Sequence, residues 1–216
     1  MPRNDPPDQA PDPNQRIEAF YKENIRKTFT DHGILGWESH QNHMERFRVL
    51  AEHIPFTGRR VLDVGCGLGN LLDFLCENWQ EPSSYMGVDL LECMVSMARE
   101  RNPDGVFQCT DIFRDMTFAE AHRGEFDIIV ASGIFNLDLG NNETFLAKAL
   151  ATFRALNPAF IGFNFLDAAI VEEDRRFWLV RPEMVEAIVR LSIPDLQKIE
   201  IIRGRPIGDG AVIIWR

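Results

Sequence analysis

Long apolar runs are missing from this chain. No stretch of its 216 residues approaches the ~18 that a membrane-spanning helix needs, so no such helix is expected. The N-terminus has neither the basic nor the apolar region of a secretion signal, which makes the cytoplasm the expected compartment. Cysteine is scarce too. The four present are Cys66, Cys76, Cys93 and Cys109; none forms a C-x-x-C pair and no Cys/His group has zinc-ligand spacing. They read as buried free thiols of a reducing compartment, and no metal site is expected. Basic residues are in deficit: 23 Lys and Arg face 33 Asp and Glu, for a net charge of -10 and a pI near 5.0. That balance disfavours a nucleic-acid partner, although a local basic pocket is compatible with it. It leaves the oligomeric state open.

The length fits one domain with a real core. Residues 1–14 hold five of the twelve prolines and almost nothing apolar, so they read as a disordered tail. Residues 15–216 then read as one domain, beginning with a helical cap over 15–57. Ile17, Phe20, Tyr21, Ile25 and Phe29 recur at helical spacing, predicting a helix from Ile17 to Thr28. A loop containing Gly33 and Gly36 follows, and Ser39 caps a second helix running to about His53.

Beyond Thr57-Gly58 the pattern alternates. Strands are expected at 60–64, 85–88, 106–109, 126–131 and 160–165, and helices at 70–79, 92–101, 142–156 and 182–191. Short, fully apolar strands indicate a parallel sheet covered on both faces. Two last strands, 197–202 and 211–215, flank the turn-rich GRPIGDG and predict an antiparallel hairpin at one edge.

The strongest signal is VLDVGCGLGNLLDFL, residues 61–75, an apolar strand running through a glycine-rich turn into an amphipathic helix. Glycines let the backbone bend sharply and let a ligand approach the amides, and a helix start offers free N–H donors. The spacing is G-x-G-x-G at 65, 67 and 69, not the G-x-G-x-x-G of nicotinamide enzymes, which disfavours an NAD-dependent oxidoreductase. Asp63 lies two residues before the first glycine. Asp89 closes the second strand and Asp111 follows the third. Each acid alone also suits a strand end or helix cap. Three of them after three successive strands, at the edge where open α/β sheets bind ligands, indicate a site.

The D-x-G-x-G-x-G pattern resembles motif I of the class I S-adenosylmethionine (SAM)-dependent methyltransferases, and the likeness extends from about Ile17 to the C-terminus. The segments HGILGWES (32–39) and ASGIFN (131–136) also resemble a bacterial group of small methyltransferases, with no acceptor to carry over. The family resemblance implies an α/β, Rossmann-like, seven-stranded, mostly parallel sheet with the antiparallel C-terminal hairpin and the N-terminal cap. It implies SAM as cofactor and S-adenosylhomocysteine as product. Asp63, Gly65, Cys66 and Gly67 would meet the amino-acid moiety, Asp89 the ribose hydroxyls, Leu90 the adenine face, and Asp111 and Ile112 the adenine edge. Ala131 and Ser132 would touch the methionine part, and Trp37 belongs to the capping segment.

The reaction expected is N- or O-methylation of a small molecule, with C-methylation still open. A SAM-binding sensor or partner subunit without turnover is the alternative. Acceptor-side candidates are His32, Trp37 and Gln41 in the cap loop, and Phe135, Asn136, Asn164 and Phe165 at the ends of the fourth and fifth strands. His32 is a candidate base, and Asn136 and Asn164 could orient an acceptor. The same asparagines suit local turns, and the aromatics suit a core. His40 and His43 read as surface residues. The stretch 167–182 could form a lid in which Trp178 and the arginines 175, 176 and 181 hold an anionic acceptor; a solvated loop is the plainer reading.

Overall fold

A computed structural model describes residues 12–170 and 174–216. Strands β1 (Arg60–Val64), β2 (Ser84–Asp89), β3 (Val106–Cys109), β4 (Ile128–Ala131) and β5 (Phe160–Asp167) are parallel. β6 (Leu179–Val180) pairs parallel with the end of β5, while β7 (Lys198–Arg203) and β8 (Asp209–Trp215) run antiparallel. The order across the sheet is β3-β2-β1-β4-β5-β8-β7, with β6 off that path. Eight strands therefore replace the seven expected. The extra one lies inside the stretch read as a lid, and two residues are too short to show an alternating pattern. β4 begins at Ile128, not 126, because Asp127 turns its carboxylate to the Arg60 N–H and guanidinium.

Alternation along each strand builds two cores. Leu62, Ile129, Ile161, Phe163 and Phe165 face α6 (Thr117–Ala121), α7 (Asn142–Leu156) and α8 (Pro182–Ser192). Val61, Ile128, Val130 and Ile213 face α3 (His40–His53), α4 (Asn70–Glu77) and α5 (Glu92–Arg101). The cap has three helices, not two. α1 (Pro13–Lys27) opens inside the expected tail, where Asp12 accepts from the Asn14 N–H and Pro13 sits in the first turn. The expected loop contains α2 (Asp31–Ile34). The rest of the tail, 1–11, lies outside the described residues. Of the four cysteines only Cys66 is buried; Cys76 and Cys93 are exposed and Cys109 is half-buried, so the uniform buried reading is corrected. Among the described residues no helix is long and apolar enough to cross a membrane.

α3 is seated on β5 and β8. A Cβ at Gly162 would come within 2.6 Å of Ile54 Cδ1, so only glycine lets the helix approach this closely. The same helix sends Arg46 into the interior. Its guanidinium donates to both oxygens of the buried Asp209, at 2.6 and 2.8 Å, and Asn164 Nδ2 donates to Asp209 at 2.9 Å. Removing one member of such a pair strands a buried charge. Asp209→Ala should lower the unfolding free energy by about 3–5 kcal/mol in urea titration, whereas Arg46→Met with Asp209→Leu should recover most of that loss.

Candidate functional site

A cavity of about 450 Å³ opens at the carboxyl ends of β1 to β4, beneath the cap. The loop after β1 forms its floor. Gly65 and Gly67 have φ of +72° and +53°, left-handed values that side chains resist. A Cβ at Gly65 would fall 2.3 Å from Ile134 Cγ2, and one at Gly67 would fall 2.7 Å from Leu35 Cδ2. The cap and the segment after β4 thus press directly on this loop. Gly67 N–H donates to Asp89 Oδ2 at 2.9 Å, and Leu91 N–H donates to Asp89 Oδ1 at 2.9 Å.

Four carboxylates line the cavity, Asp12 at the start of α1 and three at strand ends. Asp63 is buried and accepts from the Tyr85 hydroxyl at 2.5 Å. Burial pushes its pKa up to about 7; the Tyr85 bond opposes that rise and nearby Asp89 adds to it. Burial also raises Asp89 above the usual carboxylate range, against the pull of its backbone donors. Asp111 accepts from Phe113 N–H at 3.0 Å and from Asn14 Nδ2 at 3.3 Å, so the first turn of α1 reaches across the opening.

Trp37 and His43 also line the cavity. Arg46 lies 3.8 Å over the Trp37 ring, and His43 stacks on the same ring at 5.9 Å. Burial, with Arg46 and His40 adding to it, lowers His43 to about 3, so its imidazole is neutral. Lys148 is the one Lys or Arg among the described residues that line the cavity. A concave, largely apolar pocket with clustered carboxylates suits a ligand carrying positive charge.

The Methyltransferase domain family model matches residues 61–158. That segment is similar to a methyltransferase domain, over less than half of the chain. Trans-aconitate 2-methyltransferase of Afipia carboxidovorans is 38% identical over 61 residues, 28% of this chain and 23% of that protein. Phthiotriol/phenolphthiotriol dimycocerosates methyltransferase 1 of Mycobacterium ulcerans is 31% identical over 65 residues, 30% of this chain and 24% of that protein. The chain thus aligns with about a quarter of the length of these curated relatives. Among solved structures, the magnesium protoporphyrin IX methyltransferase of Synechocystis with bound SAM superposes with a TM-score of 0.65 at 14% identity, covering 97% of this chain and 99% of that one. DesVI of Streptomyces venezuelae gives 0.58 at 18% identity, covering 82% and 92%. At these identities the likeness speaks for the fold.

The sheet and its cap bring Trp37, Asp63, Gly65, Cys66, Gly67, Asp89, Leu90, Asp111, Ile112 and Ser132 to the lining of this one cavity. Ala131 is fully buried behind it. The acceptor-side expectations fare differently, because His32, Gln41, Asn136, Asn164, Phe135, Phe165 and Trp178 all lie off that wall. Phe135 is a core residue, packed edge-on against Phe163 at 5.3 Å. Asn164 accepts from Gly133 N–H at 2.7 Å and donates to Asp209, so its amide is committed to the scaffold. Asn136 is buried, and its backbone carbonyl accepts from Trp178 N–H at 2.8 Å. Trp178 and Arg181 border a separate surface hollow. Arg176 is exposed and pairs with Asp174 on its own loop at 2.7 Å.

His43, read as a surface residue, is instead buried at the cavity. Its helical register with Phe47, Leu50 and Ile54 is the signal that places it on the inner face of α3. Ile17 and Tyr21 on α1 were missed in the same way, as one face of that helix roofs the cavity.

His43 and Asp63 give stability opposite pH dependences. His43 titrates near 6.5 unfolded and near 3 folded, so its contribution is full above 6.5 and is lost as pH falls toward 3. Asp63 titrates near 3.8 unfolded and near 7 folded, so its contribution is full below 3.8 and is lost as pH rises toward 7. Across pH 4–6.5 the two should nearly cancel. Relative to the parent, Asp63→Asn should lose stability on acidification, and His43→Gln should gain it, each by about 1 kcal/mol per pH unit in urea midpoints.

Proposed function

We propose that this chain is a SAM-dependent methyltransferase acting on a small-molecule acceptor by N- or O-methylation. The observation that carries the reading is the cavity itself: a glycine loop and three strand-end aspartates meet under an aromatic cap, with no arginine and a single lysine among the described lining residues. A sulfonium nucleoside fits that donor set better than a pyrophosphate, which seeks cations and free helix N–H groups. Bound SAM would supply an electrophilic methyl group on a sulfonium.

The chain's own residues supply position and environment. Asp89 offers the remaining lone pairs of its two oxygens to the ribose hydroxyls, while Gly67 and Leu91 fix its orientation. Asp63 holds the ammonium end, and its ionisation becomes favourable once a cation lies beside it. Asp111 and Ile112 border the adenine, and Ser132 borders the methionine part. Trp37, Leu35 and α1 exclude water, which favours a reaction in which charge disperses. In-line displacement needs the reacting atoms near ~3–3.5 Å, so a cap held on a rigid sheet is the main catalytic contribution.

Calorimetry with SAM, followed by a product assay for S-adenosylhomocysteine across an acceptor panel, tests the reading. SAM binding with methyl transfer supports it. Binding without transfer favours a sensor or partner subunit, and no binding at millimolar SAM overturns it. Asp89→Ala should weaken SAM by about 1–3 kcal/mol through lost charge-assisted hydrogen bonds, and an unchanged Kd would contradict the ribose assignment.

A further inference from the structure

The cap is held in two different ways. α3 is anchored to the sheet: Ile54 seats against Gly162, and Arg46 forks onto the buried Asp209. α1 and α2 instead pack on each other. Asn24 Nδ2 donates to the Ile34 carbonyl at 3.3 Å, a Cβ at Gly36 would fall 3.0 Å from the Phe20 ring, and one at Gly33 would fall 2.7 Å from Thr28. Residues 13–36 therefore form one unit, which joins the anchored part of the cap at Gly36, where φ is +78°. Within α1 and α2 only Ile34 is buried, and the unit meets the body through a small apolar cluster with Leu68, Leu91 and Met94. Sparse burial of this kind marks the parts of a fold that open most readily. The unit also stands in a ligand's way, since Asn14, Ile17 and Tyr21 line the cavity and Asn14 Nδ2 donates to Asp111 across its opening.

One polar tether of this unit is stronger than the others. Asp31, the first residue of α2, takes the Arg101 guanidinium on both oxygens, at 2.8 and 2.9 Å, and also accepts from Asn70 Nδ2 at 2.8 Å. Arg101 closes α5, and Asn70 opens α4 directly after the glycine loop. The bonds from Asn14 to Asp111 and from Arg16 to the Asp138 carbonyl are single and longer, 3.3 Å each. Leu35 follows Asp31 by one turn and lies over Gly67, so this tether also holds the unit down on the glycine loop. Asp31 and Arg101 are half-buried and do not line the cavity.

We propose that residues 13–36 open and close over the cavity as one unit, and that the Asp31–Arg101 pair is the latch that holds them shut on SAM. The proposal rests on the methyltransferase reading and adds how its site is entered. Because neither partner lines the cavity, the latch forms with or without ligand, and weakening it eases entry and exit alike. Loss of a ligand contact would speed exit alone.

Asp31→Asn keeps the shape and removes the charge, and Arg101→Met keeps the stem and removes the fork. S-adenosylhomocysteine is the probe. Its association and dissociation are followed by stopped-flow tryptophan fluorescence, since Trp37 lines the cavity, and opening is followed by hydrogen exchange. Each variant should speed both rates about fivefold, the worth of one half-buried ion pair, and leave Kd within about twofold. Amide exchange should quicken over 13–36 and stay unchanged over α3. Raising ionic strength well above ~0.1 M should speed dissociation from the parent more than from either variant. Rates unchanged in both variants, faster dissociation with association unchanged, or exchange quickened as much in α3 as in 13–36 would overturn the latch and leave the methyltransferase reading standing. Failure of the parent to bind S-adenosylhomocysteine would overturn both.

Discussion

Carboxylates taken out of water without enough positive charge nearby are the constraint on which this site turns. Asp63 is buried under the glycine loop, and Asp89 sits beside it. Neither has a salt-bridge partner among the described residues. Hydrogen bonds from Tyr85, Gly67 and Leu91 satisfy lone pairs, yet burial still pushes both acids toward protonation. Folding therefore leaves a region that gains electrostatic free energy when a cation enters. The contrast with Asp209 is instructive. That acid is equally buried, but Arg46 forks onto both of its oxygens, so it belongs to the scaffold and has nothing left to recruit.

The scaffold pair has its own bearing on chemistry. Arg46 stacks on Trp37 at one end and binds Asp209 at the other, and Asp209 takes Asn164, whose amide holds the Gly133 N–H. One continuous chain of contacts thus fixes the cap aromatic relative to the loop after β4. Gly133, with φ +92°, completes the fit: a Cβ there would fall 2.8 Å from the Trp37 ring. In-line transfer depends on sub-ångström alignment, so a rigid link of this kind would serve the proposed reaction as much as stability.

Much of this was legible before any coordinates. The glycine spacing and the acids at 63, 89 and 111 mark residues that do line the cavity, because strand-to-helix turns are local and each strand end reaches the same sheet edge. Apolar strand runs gave the parallel core, and GRPIGDG gave the antiparallel edge. What was not legible depends on which face of an element a residue occupies. From the sequence, Asn164 is a candidate to orient an acceptor at the end of the fifth strand. Alternation along β5 puts it on the face opposite Phe163 and Phe165, toward α3, where Arg46 and Asp209 claim it. Phe135 was read as an acceptor contact, but the loop after β4 folds it down onto α7.

His43 shows the same lesson from the opposite side. Judged singly, a histidine near a helix start and three residues from another histidine looks solvent-exposed. Judged by register, it stands one turn before Phe47 and two before Leu50, on the stripe that packs the sheet. A polar residue on an apolar stripe must either find a partner or border a cavity. Asn164 took the first course and became part of the frame. His43 took the second: it borders the cavity, its ring kept neutral by burial and by Arg46.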